Sequence, residues 1–212
     1  MKTLFLTYAL ETIPSTIRHL KALKGLYLEY MPNLVELPDV FEELPNLEGL
    51  TICFAGLTSL PKSISSSKKL KQLSIRHCPI STLPTSLPES LEELTVINTK
   101  ISSVPASLFQ HPRLKEIDLG SNQIKKVQVP TQLSRKTPFK IIDLSFNEIK
   151  QLPIEFFKLP IKKLKMGGNP LTKTTSKRLI QKFPGIDLIL YELFSAIRQW
   201  EDNHSEDEAR DQ

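Results

Sequence analysis

Two sets of residues in this 212-residue chain have types suited to chemistry. The first is a series of carboxylates, Glu93, Glu116, Asp118 and Asp143, followed by Lys163 and Lys165. Paired carboxylates serve acid/base catalysis or hold a cation, and a solvated polar face has the same composition. The second set is Phe5, Tyr27, Tyr30, Phe54, Arg76 and His77, a mixture of aromatic and basic side chains of the kind that anchors protein interfaces. His77 and Cys78 are adjacent and could in principle supply a base and a nucleophile. However, the chain has no H-E-x-x-H, no phosphate-cradling G-x-x-x-x-G-K-[ST] and no G-x-S-x-G, and its histidines (His19, His77, His111, His204) share no spacing. The expectation is a protein with no catalytic residue, no metal and no cofactor.

What these side chains do depends on the elements that position them, and an internal period defines those elements. Leu47, Leu50, Ile52, Ala55, Leu57, Leu60-Pro61 and Ile64 are matched by Leu70, Leu73, Ile75, Cys78, Ile80, Leu83-Pro84 and Leu87. Units begin at Leu23, Leu47, Leu70, Leu91, Leu114, Phe139 and Ile161, spaced 24, 23, 21, 23, 25 and 22 residues apart, with a partial unit at the N-terminus carrying Leu4, Leu10, Ile13-Pro14, Ile17 and Leu20. Each opens with L-x-x-L-x-L, whose alternation predicts a short strand with one face buried. The second half contains a proline that interrupts strand pairing, and apolar residues three apart, which suit a 3₁₀ or extended return. A single unit has too little apolar surface to order itself, so neighbours must bury each other's faces in one continuous array.

The motif L-x-x-L-x-L-x-x-N-x-L, repeated as Leu114 to Ile124, Phe139 to Ile149 and Ile161 to Leu171, resembles the leucine-rich-repeat family. That resemblance implies an α/β fold: a right-handed solenoid, or horseshoe, with a parallel concave sheet and a C-terminal helical cap. The family's asparagine is present as Asn122, Asn147 and Asn169 but replaced by Ala55, Cys78 and Thr99 earlier. At that site the chain leaves the strand sharply and inward backbone groups need a side chain that both donates and accepts. Thr serves, Cys does so weakly and Ala not at all, so water or an altered turn is expected beside Ala55. The segment Leu83-Pro84-Thr85-Ser86-Leu87-Pro88-Glu89-Ser90-Leu91 is similar to the short repeats of bacterial leucine-rich effectors.

In domain terms, residues 1–171 are read as about seven to eight repeats, 172–202 as the cap and 203–212 as a disordered acidic tail. Thr174 to Phe183 has the pattern of a short helix stopped by Pro184-Gly185. Ile186 to Leu190 suits a last strand, and Leu190, Leu193, Phe194, Ile197 and Trp200 recur at helical spacing. Trp200 is assigned to that cap in preference to a partner anchor. Cys53 and Cys78 fall on different sides of the backbone and are expected to be free thiols, which favours a reducing compartment. The opening apolar run is too short for a cleavable signal, and no run reaches the roughly 18 to 20 residues of a membrane helix. The expected location is the cytoplasm, or a host cell reached without a cleavable signal peptide.

Residues 1–124 carry 12 basic and 12 acidic side chains, 125–182 carry 14 and 3, and the remainder 2 and 8. The basic block could attract nucleic acid, an anionic membrane or an acidic protein, or simply keep an elongated array soluble. It lacks the interleaved aromatics of single-strand nucleic-acid binders. The side chains that alternate with the buried leucines nominate one outward surface, and the leading expectation is a monomeric protein-binding module. The alternative is a translocated effector or scaffold whose basic half binds an anionic partner.

Overall fold

A computed structural model of the chain describes residues 1–186 apart from Ala9, Lys136 and Gly185. The expected last strand, the second cap helix with Trp200 and the acidic tail therefore lie almost wholly outside the described residues. The strands are β1 (Thr3–Thr7), β2 (Gly25–Met31), β3 (Gly49–Ala55), β4 (Gln72–Arg76), β5 (Glu93–Ile97), β6 (Ser103–Val104), β7 (Glu116–Asp118), β8 (Lys126–Val127), β9 (Phe139–Asp143) and β10 (Ile161–Lys165). Eight of them form one sheet in the order β1-β2-β3-β4-β5-β7-β9-β10, and every pair is parallel. One strand per repeat, taken in sequence order, is the geometry of a solenoid.

The register aligns the leucines of successive repeats. Leu4, Leu26, Leu50, Leu73, Leu94, Ile117, Ile142 and Leu164 pair across the sheet. From β2 onward they are buried, and Leu28, Ile52, Ile75, Val96, Leu119, Leu144 and Met166 form a second buried row. The prolines act at the point where the chain returns. Pro14, Pro61 and Pro153 immediately precede 3₁₀ turns at Ser15–His19, Lys62–Ser66 and Ile154–Lys158, and Pro105 precedes the short helix α1 (Ala106–Gln110). Proline's fixed φ suits the first turn of a helix, and its missing N–H would have no partner there. Buried apolar side chains from these turns (Ile17, Ile64, Leu108 with Phe109, and Phe156) close the back of each repeat.

The final described element is α2 (Lys173–Lys182), which buries Leu179. The Thr172 hydroxyl caps it by accepting the Thr175 N–H at 3.3 Å. No helix of the described residues is long and apolar enough to cross a membrane.

Candidate functional site: the open face and rim of the sheet

At the end of each strand the chain must leave the sheet, and one residue per repeat makes the turn in the left-handed region. These are Tyr8, Tyr30, Phe54, His77, Asn98, Ser121 and Phe146, with φ between 52° and 56°, and then Gly168 at 72°. Several donate their N–H to the next repeat, as His77 does to the Ile97 carbonyl (3.1 Å) and Phe146 to that of Gly167 (2.7 Å). Left-handed backbone costs a residue with a side chain roughly 1–2 kcal/mol. It also breaks the in-and-out alternation of the strand: the next residue (Met31, Ala55, Cys78, Thr99, Asn122, Asn147, Asn169) is buried, and the left-handed one is thrown onto the rim.

Four rings therefore line up along that rim. Tyr8 stacks on Tyr30 (centroids 5.5 Å apart), Tyr30 on Phe54 (5.1 Å) and Phe54 on His77 (4.1 Å), with planes within 9° of parallel. Each stacked pair offsets part of the backbone cost, by about 0.5–1.5 kcal/mol. The Asn98 amide lies 3.5 Å from the His77 ring nitrogen and continues the column in polar form. At its far end, Phe146 lies over Gly168, where a Cβ would approach its ring to 2.6 Å.

The open face of the sheet carries three further rows. Along the first, Phe5 and Tyr27 stack at 4.4 Å and are followed by Thr51, Ser74, Thr95, Asp118, Asp143 and Lys165. The second runs Gln72, Glu93, Glu116, Ile141, Lys163, and the third Glu29, Cys53, Arg76, Ile97. The aromatic and basic candidates thus divide into an inner pair, Phe5 and Tyr27, and a rim stack holding Tyr30, Phe54 and His77. Arg76 lies between them, with its Nε donating to the Ser74 hydroxyl at 3.2 Å. Tyr8, the first ring of the stack, has no place in the sequence-derived set. The signal that would have found it is its offset, four residues after Leu4, as Tyr30 is four after Leu26.

The carboxylates are not a uniformly solvated face. Asp143 is only 8% exposed, and its carboxyl accepts from Lys165 (2.9 Å) and from the Ser145 N–H (2.9 Å). Burial pushes the Asp143 carboxyl up, but the Lys165 ammonium and Ser145 together outweigh that and hold it below the usual range. The same pairing raises the Lys165 ammonium. Asp118, one strand away, is raised, first by burial and then by the Asp143 charge, against the Gly120 N–H bond that lowers it. Glu93 accepts from Gln72 (3.0 Å) and Glu116 from Lys140 (3.4 Å). Lys163 stays exposed, separated from Glu116 by Ile141. Among the described residues no group of three or more His, Cys, Asp or Glu converges as a metal site would. Between Tyr27 and Asp118 the floor is made of small hydroxyl side chains, so the face is a shallow trough with rings at one end and carboxylates at the other.

Beneath this face the two halves differ in how the strand exit is satisfied. The Asn122 amide donates to the carbonyls of Val96, Leu119 and Gly120 and accepts the N–H and hydroxyl of Thr99. Asn147 and Asn169 repeat the arrangement. At Ala55 the turn is altered, as expected: the strand is prolonged, Ala55 pairs with Met31, and the Gly56 N–H reaches the Met31 carbonyl at 3.3 Å. Cys78 donates its thiol to the Arg76 carbonyl at 3.3 Å. Both cysteines are free, and burial raises both thiols.

No family model matches the chain. It is 32% identical over 127 residues to the human leucine-rich repeats and immunoglobulin-like domains protein 1, covering 58% of this chain and 12% of that protein. It is 30% identical over 111 residues to rat osteomodulin, covering 50% and 26%. The chain therefore spans about a quarter or less of the length of these relatives. Among solved structures, a leucine-rich-repeat protein of Leptospira interrogans superposes with a TM-score of 0.67 at 22% identity, covering 88% of this chain and 59% of that one. The leucine-rich-repeat domain of the type III effector XopL gives 0.65 at 25% identity, covering 86% and 73%.

Proposed function

We propose that this chain, a leucine-rich-repeat protein in sequence pattern and in fold, is a non-catalytic module that recognises another protein through the trough of its sheet and the adjoining aromatic rim. The observation that carries the reading is the Tyr8–Tyr30–Phe54–His77 stack beside Arg76. Aromatic side chains at a solvent-facing edge are costly unless they are used, and here strained backbone holds them there. The stacked rings are already immobilised, so a docking partner would lose little further entropy in ordering them. Arg76 and the rings at one end would supply affinity, while Glu93, Glu116, Asp118 and Asp143 toward the other end, with Lys163 and Lys165 on the strand beyond them, would set orientation and charge preference. One solved relative by fold, at 27% identity, is part of a Toll–Spätzle complex, which supports a protein as the class of partner.

The test is capture of partners from cell extracts by the whole chain and by a Tyr27→Ala, Phe54→Ala, Arg76→Ala variant that remains folded by circular dichroism. The variant is expected to lose its specific partner; unaltered capture would exclude this surface.

A second reading rests on the 14 basic and 3 acidic residues of 125–182 and on the similarity to an effector domain. In it the chain is a bacterial effector or scaffold, cytoplasmic or delivered to a host, whose basic half binds nucleic acid or an anionic membrane. Several of these lysines are engaged within the fold, Lys125 with Glu148, Lys140 with Glu116 and Lys165 with Asp143, which weakens this reading. Submicromolar, salt-sensitive RNA or DNA retention in a filter-binding titration would favour it over the first.

A further inference from the structure

Among the described residues, the two outermost strands of the sheet are built differently. The strand at the far edge, β10, reads Ile-Lys-Lys-Leu-Lys, and lysines on an edge strand discourage pairing with another chain. The near edge, β1, reads Thr-Leu-Phe-Leu-Thr, with no charge and no proline. Leu4 and Leu6 are only partly buried, whereas their counterparts Leu26 and Leu28 in the next repeat are closed off. Four of the ten large apolar side chains exposed among the described residues, Met1, Phe5, Tyr8 and Leu10, fall in the first ten positions. That concentration at one end marks an interaction surface.

The sequence of β1 specifies the occupant. Thr3-Leu4-Phe5-Leu6-Thr7 is the same read in either direction, so an antiparallel pairing of two copies about a two-fold axis at Phe5 sets Thr3 opposite Thr7, Leu4 opposite Leu6 and Phe5 opposite itself. The backbone parity agrees. The Gly25 N–H donates to the Lys2 carbonyl (3.1 Å) and the Tyr8 N–H to the Glu29 carbonyl (3.4 Å), so the even-numbered residues turn toward β2. Thr3, Phe5 and Thr7 consequently direct their N–H and C=O outward, and the antiparallel register centred on Phe5 pairs every one of those groups with its mate. An axis at Leu4 or Leu6 keeps the same parity but shifts the strands past each other, leaving Thr7 or Thr3 opposite a residue outside β1.

We propose that β1 is a self-pairing edge through which two copies of this chain form a two-fold dimer with one continuous sheet. The leucines of both first repeats would close each other's open core end, and the inner aromatic pair would extend across the axis as Tyr27, Phe5, Phe5, Tyr27. This replaces the sequence-based expectation of a monomer and is independent of the binding role of the rim.

Sedimentation velocity of the whole chain over a wide concentration range tests it, with Phe5→Lys and Phe5→Glu as variants. Phe5 is 64% exposed, so both variants should keep the parent's circular dichroism. The parent is expected to sediment as a species of about twice the 24.1 kDa of one chain. Each variant alone should associate at least about a hundredfold more weakly, because it places like charges face to face. An equimolar mixture of the two should regain dimer, since residue 5 of one copy meets residue 5 of the other. A parent that stays monomeric at high concentration overturns the proposal and leaves the edge to a strand from a different protein. Variants that dimerise as the parent does overturn the interface, and a mixture that fails to recover overturns the two-fold register.

Discussion

In the strands of the first four repeats the aromatic rings face solvent, while between residues 105 and 160 Phe109, Phe139 and Phe156 are buried in a cluster of edge-to-face contacts near 6 Å. Both halves share one repeat and one sheet. They differ in which position of the unit the large side chain occupies. A ring four residues after the first strand leucine is held on the rim by left-handed backbone, whereas a ring at the leucine position itself, as in Phe139, or in the return turn, as in Phe109 and Phe156, must go inside. Phe41, in a return turn of the first half, is buried for the same reason. The exit of the strand is bonded differently too: the second half invests in buried asparagines, and the first in prolonged strands and stacked rings. Surface for recognition and rigidity of the spine are therefore concentrated in different repeats.

The largest contrast is expected from truncating a ring in each half. Phe109→Ala should cost about 3–5 kcal/mol in guanidinium denaturation, the usual loss for a buried phenylalanine. Phe54→Ala gives up two stacked pairs on the exposed rim and should cost less, about 1–2 kcal/mol, while weakening partner capture. Comparable losses at the two sites would erase the distinction between spine and surface.

Next come the strand exits. Asn122→Leu removes the amide bonded to the Val96 and Gly120 carbonyls and the acceptor of the Thr99 N–H, while the Leu119 carbonyl keeps its bond from Asn147, and about 2–4 kcal/mol of stability should be lost. Cys78→Ala removes one weak thiol bond and a small volume, at about 1 kcal/mol. Urea titrations of both proteins would reveal whether the asparagine ladder stabilises the second half as described.

A smaller effect should separate the polar and glycine members of the left-handed column. Ser121→Gly relieves backbone strain and is expected to stabilise by up to about 1 kcal/mol. Gly168→Ala should destabilise by about 1–2 kcal/mol, because it adds that strain and a contact with Phe146. Thermal melts showing the same sign for both would count against the column.

The smallest effect concerns pH. His111 is buried, bonded through one ring nitrogen to the Pro88 carbonyl (2.9 Å) and through the other to the Leu114 N–H (3.1 Å). Burial lowers its pKa below 6.5, reinforced by the charge of Arg135, which is anchored on the His111 and Leu114 carbonyls and over the Phe139 ring. A base with a depressed folded-state pKa takes up more protons when unfolded, so its contribution is fully present above 6.5 and declines as the pH falls below it. Denaturation midpoints measured on either side of that value should show the decline in the parent and a smaller one in His111→Gln. An identical slope in both would remove His111 as the cause.

The repeat, its phase, the parallel sheet and the proline-led returns were legible in the sequence because each rests on a local rule repeated many times: apolar alternation for the strand, proline where a donor is not needed. Ala55 also announced that its exit would differ. The grouping of the site was less legible. Strand alternation assigns Phe5 and Tyr27 outward correctly, but continued to Tyr30 and Phe54 it would point them into the core, and only the sign of φ at those residues turns them aside. The relation of Asp143 to Lys165 was equally hidden, since the two lie 22 positions apart and meet only because consecutive strands align.

The sequence by itself determined the period of this protein and which side chains are buried, since burial of a repeating apolar stripe is a local, additive demand. Tertiary structure alone decided which exposed residues are neighbours. Residues a full repeat apart come into contact through sheet register, and backbone conformation at the strand exit selects the row each one joins.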